Sequence, residues 1–262
     1  MSDESPVRTD RDRDGVLTVM IDRAEQRNAV NVDVNRALLA AIDQARRDDA
    51  VRLVVLTGAG EKAFCAGADL GGMRPEAGAV AQHRDRSLFA DVLTGLRELP
   101  KPVIGRVNGH ALAGGFGLAL ACDLLVAAEH ATFGTTEVKV GMWPYMITTV
   151  ITDHLGPKRT LELMLTGRRL TAGEAFDWGL VNRVVPAGSL DEETRGLAGE
   201  LLALSPVVLS LGKETYARAA DMRREDALPY LASQLSLHLQ TEDVVEGITA
   251  FMQKRAPEWK GR

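Results

Sequence analysis

Up to about residue 150, strand-like and helix-like spacings of apolar residues alternate along the chain. Val7–Asp10 and Val16–Ile21 flank the turn-like Asp12-Arg13-Asp14-Gly15, which predicts a hairpin. Val34, Ala37, Leu38, Ala41, Ile42 and Ala45 recur at helical spacing and predict a helix over residues 32–47. Leu53–Thr57 is a short apolar run closed by Gly58-Ala59-Gly60, which predicts a buried strand. Pro102–Val107 and Leu124–Ala127 predict two more. Such alternation implies an α/β architecture with parallel strand pairing.

Beyond that point the strand signals fade. Gly156-Pro157 ends one helix and opens another. Thr171-x-x-Glu174 forms a capping box ahead of Ala175–Trp178, with Gly179 placed to terminate the helix. Ser205-Pro206 fits an N-cap followed by the first helical residue. Helices over 190–204, 206–219, 225–239 and 242–254 complete the chain. The expected organisation is a mixed core over residues 1–200 and a helical C-terminal region over 201–262.

Composition narrows the function. A 262-residue chain can bury a substantial core without disulfides. The net charge of −5 argues against a nucleic-acid binder. Cys65 and Cys122 make no disulfide framework and no metal spacing, so no metal is expected. Residues Met1–Asp14 are polar, and no apolar run reaches membrane-spanning length. The expected location is cytoplasmic, without a membrane partner.

Two segments carry candidate chemistry: Ala63-Phe64-Cys65-Ala66-Gly67-Ala68-Asp69-Leu70 just past a strand, and Val107 through Leu118, where a strand runs into a small-residue helix. Small residues let the backbone approach a ligand and expose its N–H groups. A helix starting at Gly114 adds free donors and a positive dipole end. Two such amides aimed at one point stabilise an oxyanion, and losing one donor costs roughly 10²–10³ in rate. A glycine cluster before a helix can equally serve close helix–strand packing. Gly115-x-Gly117 mimics part of a dinucleotide fingerprint, but Leu120 stands where the third glycine belongs.

Together the two segments resemble the A-G-x-D-L and N-G-x-A-x-G-G-G-x-x-L signatures of the enoyl-CoA hydratase/isomerase (crotonase) superfamily. Further segments match in order. Asp22–Ala29 resembles the R-P-x-x-R-N-A loop, and Phe133–Gly141 resembles F-G-x-P-E-x-x-x-G. Leu165–Val181 resembles the L-T-G segment that ends in G-L-V, and Glu246–Arg255 resembles E-G-x-x-A-F-x-x-K-R. The resemblance implies a crotonase-like spiral of ββα units with a C-terminal helical trimerisation region. It implies an acyl-CoA thioester as substrate, no cofactor besides that coenzyme A, and homotrimers or hexamers. It assigns the oxyanion amides to Ala68 and Gly114. It places coenzyme A or substrate along Gln26, Arg27 and Ala29, along Ala66, Ala68, Asp69 and Leu70, and near Leu112, Gly114 and Thr136. Phe251 and Lys254 of a neighbouring tail are assigned to the nucleotide.

Hydratases of this family use two glutamates. Here the first position is Gly117 and the second is Glu137. Two carboxylates divide the work of adding water, whereas one still moves a proton. The chain is therefore similar to delta3,delta2-enoyl-CoA isomerases, with Glu137 as single acid/base. A thioester hydrolase shares the glycine and glutamate, but that branch has an aspartate where Tyr145 stands. Decarboxylase and dehalogenase branches and a non-catalytic acyl-CoA binder are further alternatives. Trp143 and Tyr145 are candidate acyl-pocket residues with aromatic core packing as the default, His110 is equally a candidate substrate contact or a local packing histidine, and Cys65 is a small buried thiol. His83 falls in a stretch expected to be mobile over the acyl site.

Overall fold

The computed structural model describes residues 5–72 and 78–262. Positions 1–4 of the polar N-terminal stretch thus lie outside the described residues. The chain opens with β1 (Val7–Arg11) and β2 (Val16–Ile21), an antiparallel hairpin with Val7 opposite Ile21. Then follow α1 (Val32–Arg47), β3 (Leu53–Gly58), β4 (Ala63–Cys65) and α2 (Ala79–Arg97). The next turn holds β5 (Val103–Val107), β6 (His110–Leu112) and α3 (Gly114–Leu120). It is followed by β7 (Leu124–Ala128), β8 (Thr132–Gly134) and α4 (Thr148–Thr166). After these come β9 (Leu170–Thr171), α5 (Ala172–Asp177) and β10 (Arg183–Val185). Four helices close the chain: α6 (Leu190–Leu202), α7 (Pro206–Ala220), α8 (Arg224–His238) and α9 (Glu242–Gln253).

The strands sort into a six-stranded sheet, β1-β2-β3-β5-β7-β10, and a four-stranded sheet, β4-β6-β8-β9. Successive turns of the chain lay β3, β5 and β7 side by side in the large sheet, all parallel. The strand after each, β4, β6 and β8, goes into the small sheet. These three turns of the spiral each contribute one strand to each layer, whereas both strands of the first hairpin lie in the large sheet. The pattern is β-β-helix, as the resemblance implies.

Local chemistry explains the elements. Every residue of β3 is buried, which suits its continuous Leu-Val-Val-Leu run. Asn31 caps α1 by accepting from the Val34 amide at 2.9 Å. The Thr171–Glu174 capping box forms as predicted, and Ser205 caps α7 with Pro206 at its first turn. α4 breaks at Gly156, whose φ of +66° lies in the left-handed region. One core fills the space between the sheets and α1–α4, centred on fully buried Phe64, Phe116 and Phe133. A smaller cluster, including Leu53, Ile104, Leu190 and Leu197, joins the outer face of the large sheet to α6. Two features were not foreseen from the sequence: the helix over residues 79–97 and the strands of the small sheet.

Candidate active site

The first wall of the site is a loop clamped to a strand end. The Val30 amide donates to Gly67 O (2.7 Å), Asp69 N donates to Val30 O (2.9 Å), and Ala66 N donates to Arg27 O (3.0 Å). Arg23 staples the pair, giving one N–H to Ala29 O (2.6 Å) and another to the Asp69 carboxylate (2.8 Å). Asn28 is fully buried and donates to Ala59 O and Ala63 O. Gly67 has φ +93°, and a Cβ there would sit 2.7 Å from Ala113 Cβ. Only glycine meets both demands.

The second wall is the start of α3. Ala113 donates to Gly134 O (2.8 Å) and adopts φ +53°, ψ −131°, a costly conformation for a residue with a side chain. That turn presents the Gly114 amide at the helix start. A Cβ on Gly114 would lie 3.7 Å from Gly67 Cα, so the two walls meet here. Neither the Ala68 nor the Gly114 amide donates to an acceptor among the described residues.

These amides face a cleft of ≈ 1020 Å³. Val138, Met142, Trp143, Met146 and Ile147 give it an apolar side. Glu137 opens the turn after β8 and lines the same cleft. Its Oε2 is buried without a partner among the described residues. Burial is the main cause that holds its carboxyl above the ordinary range, opposed by its own backbone amide. Gly117 lies one turn into α3, fully covered. A Cβ built there would overlap Ile147 Cγ2 and stand 2.7 Å from Ile147 Cβ. The isoleucine occupies the space a longer side chain at Gly117 would need.

The family model "Enoyl-CoA hydratase/isomerase" matches residues 11–262. The chain belongs to that family. It is an enzyme fold with solved relatives along its whole length. An enoyl-CoA hydratase structure from Mycobacterium smegmatis superposes with a TM-score of 0.94 at 34% identity, covering 98% of this chain and 99% of that one. One from Bacillus anthracis gives 0.92 at 34% identity, covering 98% and 100%. In sequence, the carnitinyl-CoA dehydratase of Salmonella typhi is 39% identical over 255 residues, 94% of this chain and 95% of its own.

Within this member of the enoyl-CoA hydratase/isomerase family, the residues singled out from sequence divide into groups. Ala66, Ala68, Asp69, Leu70, Gly114, Thr136 and Glu137 all line the cleft, as do Trp143 and Tyr145. Gln26 and Arg27 are exposed on the adjoining loop, while Ala29 and Leu112 are buried behind the wall. Phe251 and Lys254 are exposed on and just after α9, outside the cleft lining of their own chain. His110 starts β6, at the end away from Gly114, and its Nδ1 pairs with Thr132 Oγ1 (2.9 Å), which fits the local packing alternative. His83 is exposed on α2 and does not line the cleft. Cys65 is buried, and desolvation pushes its thiol up to about 12, which removes any nucleophilic role at neutral pH. Sequence reasoning missed Arg23, Asn35 and Ile147. Arg23 stood inside the matched early loop. Asn35 and Ile147 carried no signal beyond one polar residue on an apolar helix face and one isoleucine in a loop.

Among the described residues no group of three or more His, Cys, Asp or Glu is placed to hold a metal ion. No single described helix is long and apolar enough to cross a membrane.

Proposed function

We propose that this enzyme holds an acyl-CoA thioester oxygen between the amides of Ala68 and Gly114 and moves one proton with Glu137 as its single acid/base. The reaction is migration of a double bond between the C3–C4 and C2–C3 positions. One observation carries this reading: Ile147 fills the space at Gly117 where a second glutamate would stand. The Glu137 carboxylate removes a proton from C2 of a 3-enoyl thioester. The electron pair delocalises onto the thioester oxygen, and the two amides stabilise that charge. The carboxyl, now neutral, returns its proton to C4, leaving the double bond between C2 and C3. Its raised proton affinity suits both half-steps. The apolar side of the cleft supports retention of the dienolate by keeping water from it.

Coenzyme A enters as part of the substrate, along the Gln26–Ala29 loop and the Ala66–Leu70 segment, and no separate cofactor takes part. Large apolar side chains stand exposed on α7–α9, including Tyr216, Leu235, Leu237, Phe251 and Met252. Their exposure supports assembly into trimers, which can pair into hexamers. In that assembly Phe251 and Lys254 are the tail residues assigned to a neighbour's nucleotide.

A second reading, hydration of 2-enoyl-CoA, is favoured by the hydratase and dehydratase relatives. The second carboxylate would then come from elsewhere on the wall. Asp85 of α2 lines the cleft.

The test is incubation with 3-enoyl- and 2-enoyl-CoA thioesters in deuterated buffer, followed by mass spectrometry and proton NMR, beside a Glu137→Gln control. Double-bond migration with deuterium uptake and no gain of water is the expected result. Gain of water across the 2-enoyl bond would replace isomerisation with hydration. Release of free coenzyme A would point to thioester hydrolysis, despite Tyr145 at the position where that branch has an acid. Binding without any turnover would leave a non-catalytic acyl-CoA binder.

A further inference from the structure

α1 and α2 form one side of the cleft, and both precede parallel strands of the large sheet. They therefore run side by side in the same direction. A Cβ on Gly95 of α2 would meet the Ile42 side chain of α1 at 3.4 Å, which sets their register. About two turns towards the N-termini, that register brings Asn35 level with Leu88–Phe89. Asn35 and Phe89 both line the cleft.

Asn35 is out of place on this face. Its neighbours on the buried side of α1 are Val34, Leu38, Ala41, Ile42 and Ala45. The residue is only 6% exposed, and its Oδ1 is buried without a hydrogen-bond partner. Leaving such a group unpaired is unfavourable, and native proteins rarely do so without a reason. Along α2 the lining continues with Asp85 and Arg86, so the cleft is bordered by polar groups as well as by the apolar Met142, Trp143 and Ile147.

We infer that Asn35 is a specificity-determining residue and that the preferred acyl group carries a hydroxyl. This rests on the cleft being an acyl-CoA site. A carboxamide offers an acceptor and a donor side by side, and a hydroxyl is the small group that can satisfy either or both. A plain alkyl chain expels water from the wall and leaves the carboxamide unpaired. Sites built to bond a hydroxyl discriminate strongly against analogues that lack it.

The experiment is calorimetric binding in a Glu137→Gln background, where ligands are not turned over. The probes are butanoyl- and hexanoyl-CoA and their counterparts bearing a hydroxyl at C4 or, for the longer chain, C5. One hydroxyacyl-CoA binds at least about tenfold more tightly than its unsubstituted parent. Adding Asn35→Leu erases that difference, chiefly by weakening the hydroxylated ligand. It also leaves the melting temperature unchanged or raised, because an unpaired buried amide has been removed. Asn35→Ser, which keeps one hydroxyl, retains part of the preference and serves if the leucine variant folds poorly. Equal binding of every hydroxylated and plain pair overturns the inference alone. So does a preference that survives Asn35→Leu, or a fall in melting temperature with no change in preference. Failure of all the thioesters to bind removes the acyl-CoA reading itself and this inference with it.

Discussion

Two buried polar regions of this enzyme follow opposite rules. Beneath α7, Lys213 Nζ donates to the Asp123 carboxylate (2.6 Å), Lys101 O (3.0 Å) and Leu96 O (3.3 Å). The same carboxylate oxygen accepts from the Val103 amide at 2.7 Å. All three donors of the lysine are used. Burial draws Lys213 down and Asp123 up, and their pairing opposes both shifts. In the cleft, by contrast, Glu137 Oε2 and Asn35 Oδ1 are buried with no partner among the described residues. Thr135 Oγ1, next to cleft-lining Thr136, shares that state, and nothing in the structure explains it. The satisfied cluster ties the C-terminal helices to the sheet. Of the unsatisfied groups, Glu137 and Asn35 line the cleft, whereas Thr135 Oγ1 and His238 Nε2, on α8, lie outside its lining.

The contrast can be broken most directly at Glu137. Glu137→Gln keeps the shape and removes the proposed base, so turnover falls by roughly 10²–10⁴-fold. Its melting temperature does not drop, since no hydrogen bond from another residue is lost. A variant that melts early and still turns over would place Glu137 with the structural cluster instead.

Lys213→Met should show the reverse. It leaves Asp123 buried without its cation and costs about 2–4 kcal/mol, discounted because Asp123 is partly exposed. Denaturant unfolding measures the loss, and the folded fraction keeps its kcat/KM. An altered kcat/KM in protein shown to be folded would erase the division between the regions.

The Gly117–Ile147 contact supplies a third, smaller test. Gly117→Glu overpacks the helix against Ile147 and costs about 1–3 kcal/mol. Gly117→Glu combined with Ile147→Ala recovers part of that loss, because the clash is with a side chain and not with backbone. A penalty that is unrelieved in the double variant would show that something other than Ile147 closes the position.

The smallest effect is the pH dependence contributed by Glu137. Its folded proton affinity is raised above the ordinary value of 4.5. Between that value and the raised one, the folded state binds more protons than the unfolded state. Unfolding free energy therefore falls as pH rises through this window, and above it the ionised form carries the full penalty. Glu137→Gln removes the slope, which pH-resolved chemical denaturation can follow. Turnover has the opposite sign in pH, rising as the carboxyl ionises to become the base.

Much of the frame was readable from residues alone. The span of α1 was predicted as observed, and the caps at Thr171 and Ser205 follow from local hydrogen bonding that needs only a few neighbouring residues. The small sheet was not readable, because β4, β6 and β8 are three residues long and too short to show a period. α2 was missed although Phe89, Val92, Leu93 and Leu96 recur at helical spacing, since its first half is polar and follows Gly78.

For the site, the sequence by itself determined the backbone parts. Small residues at Ala66–Ala68 and Ala113–Gly115 announce themselves because close backbone approach restricts residue type at fixed spacing, whereas Glu137 was found only through the resemblance of Phe133–Gly141 to a family segment. Only the tertiary structure decided what surrounds them. That Ile147 closes the space at Gly117, that Arg23 staples Ala29 to Asp69, and that Asn35 lines the cleft unpaired are contacts between separate segments. Their physical reason is packing in three dimensions, where any of several residues could fill a space and none leaves a pattern in its own stretch of chain.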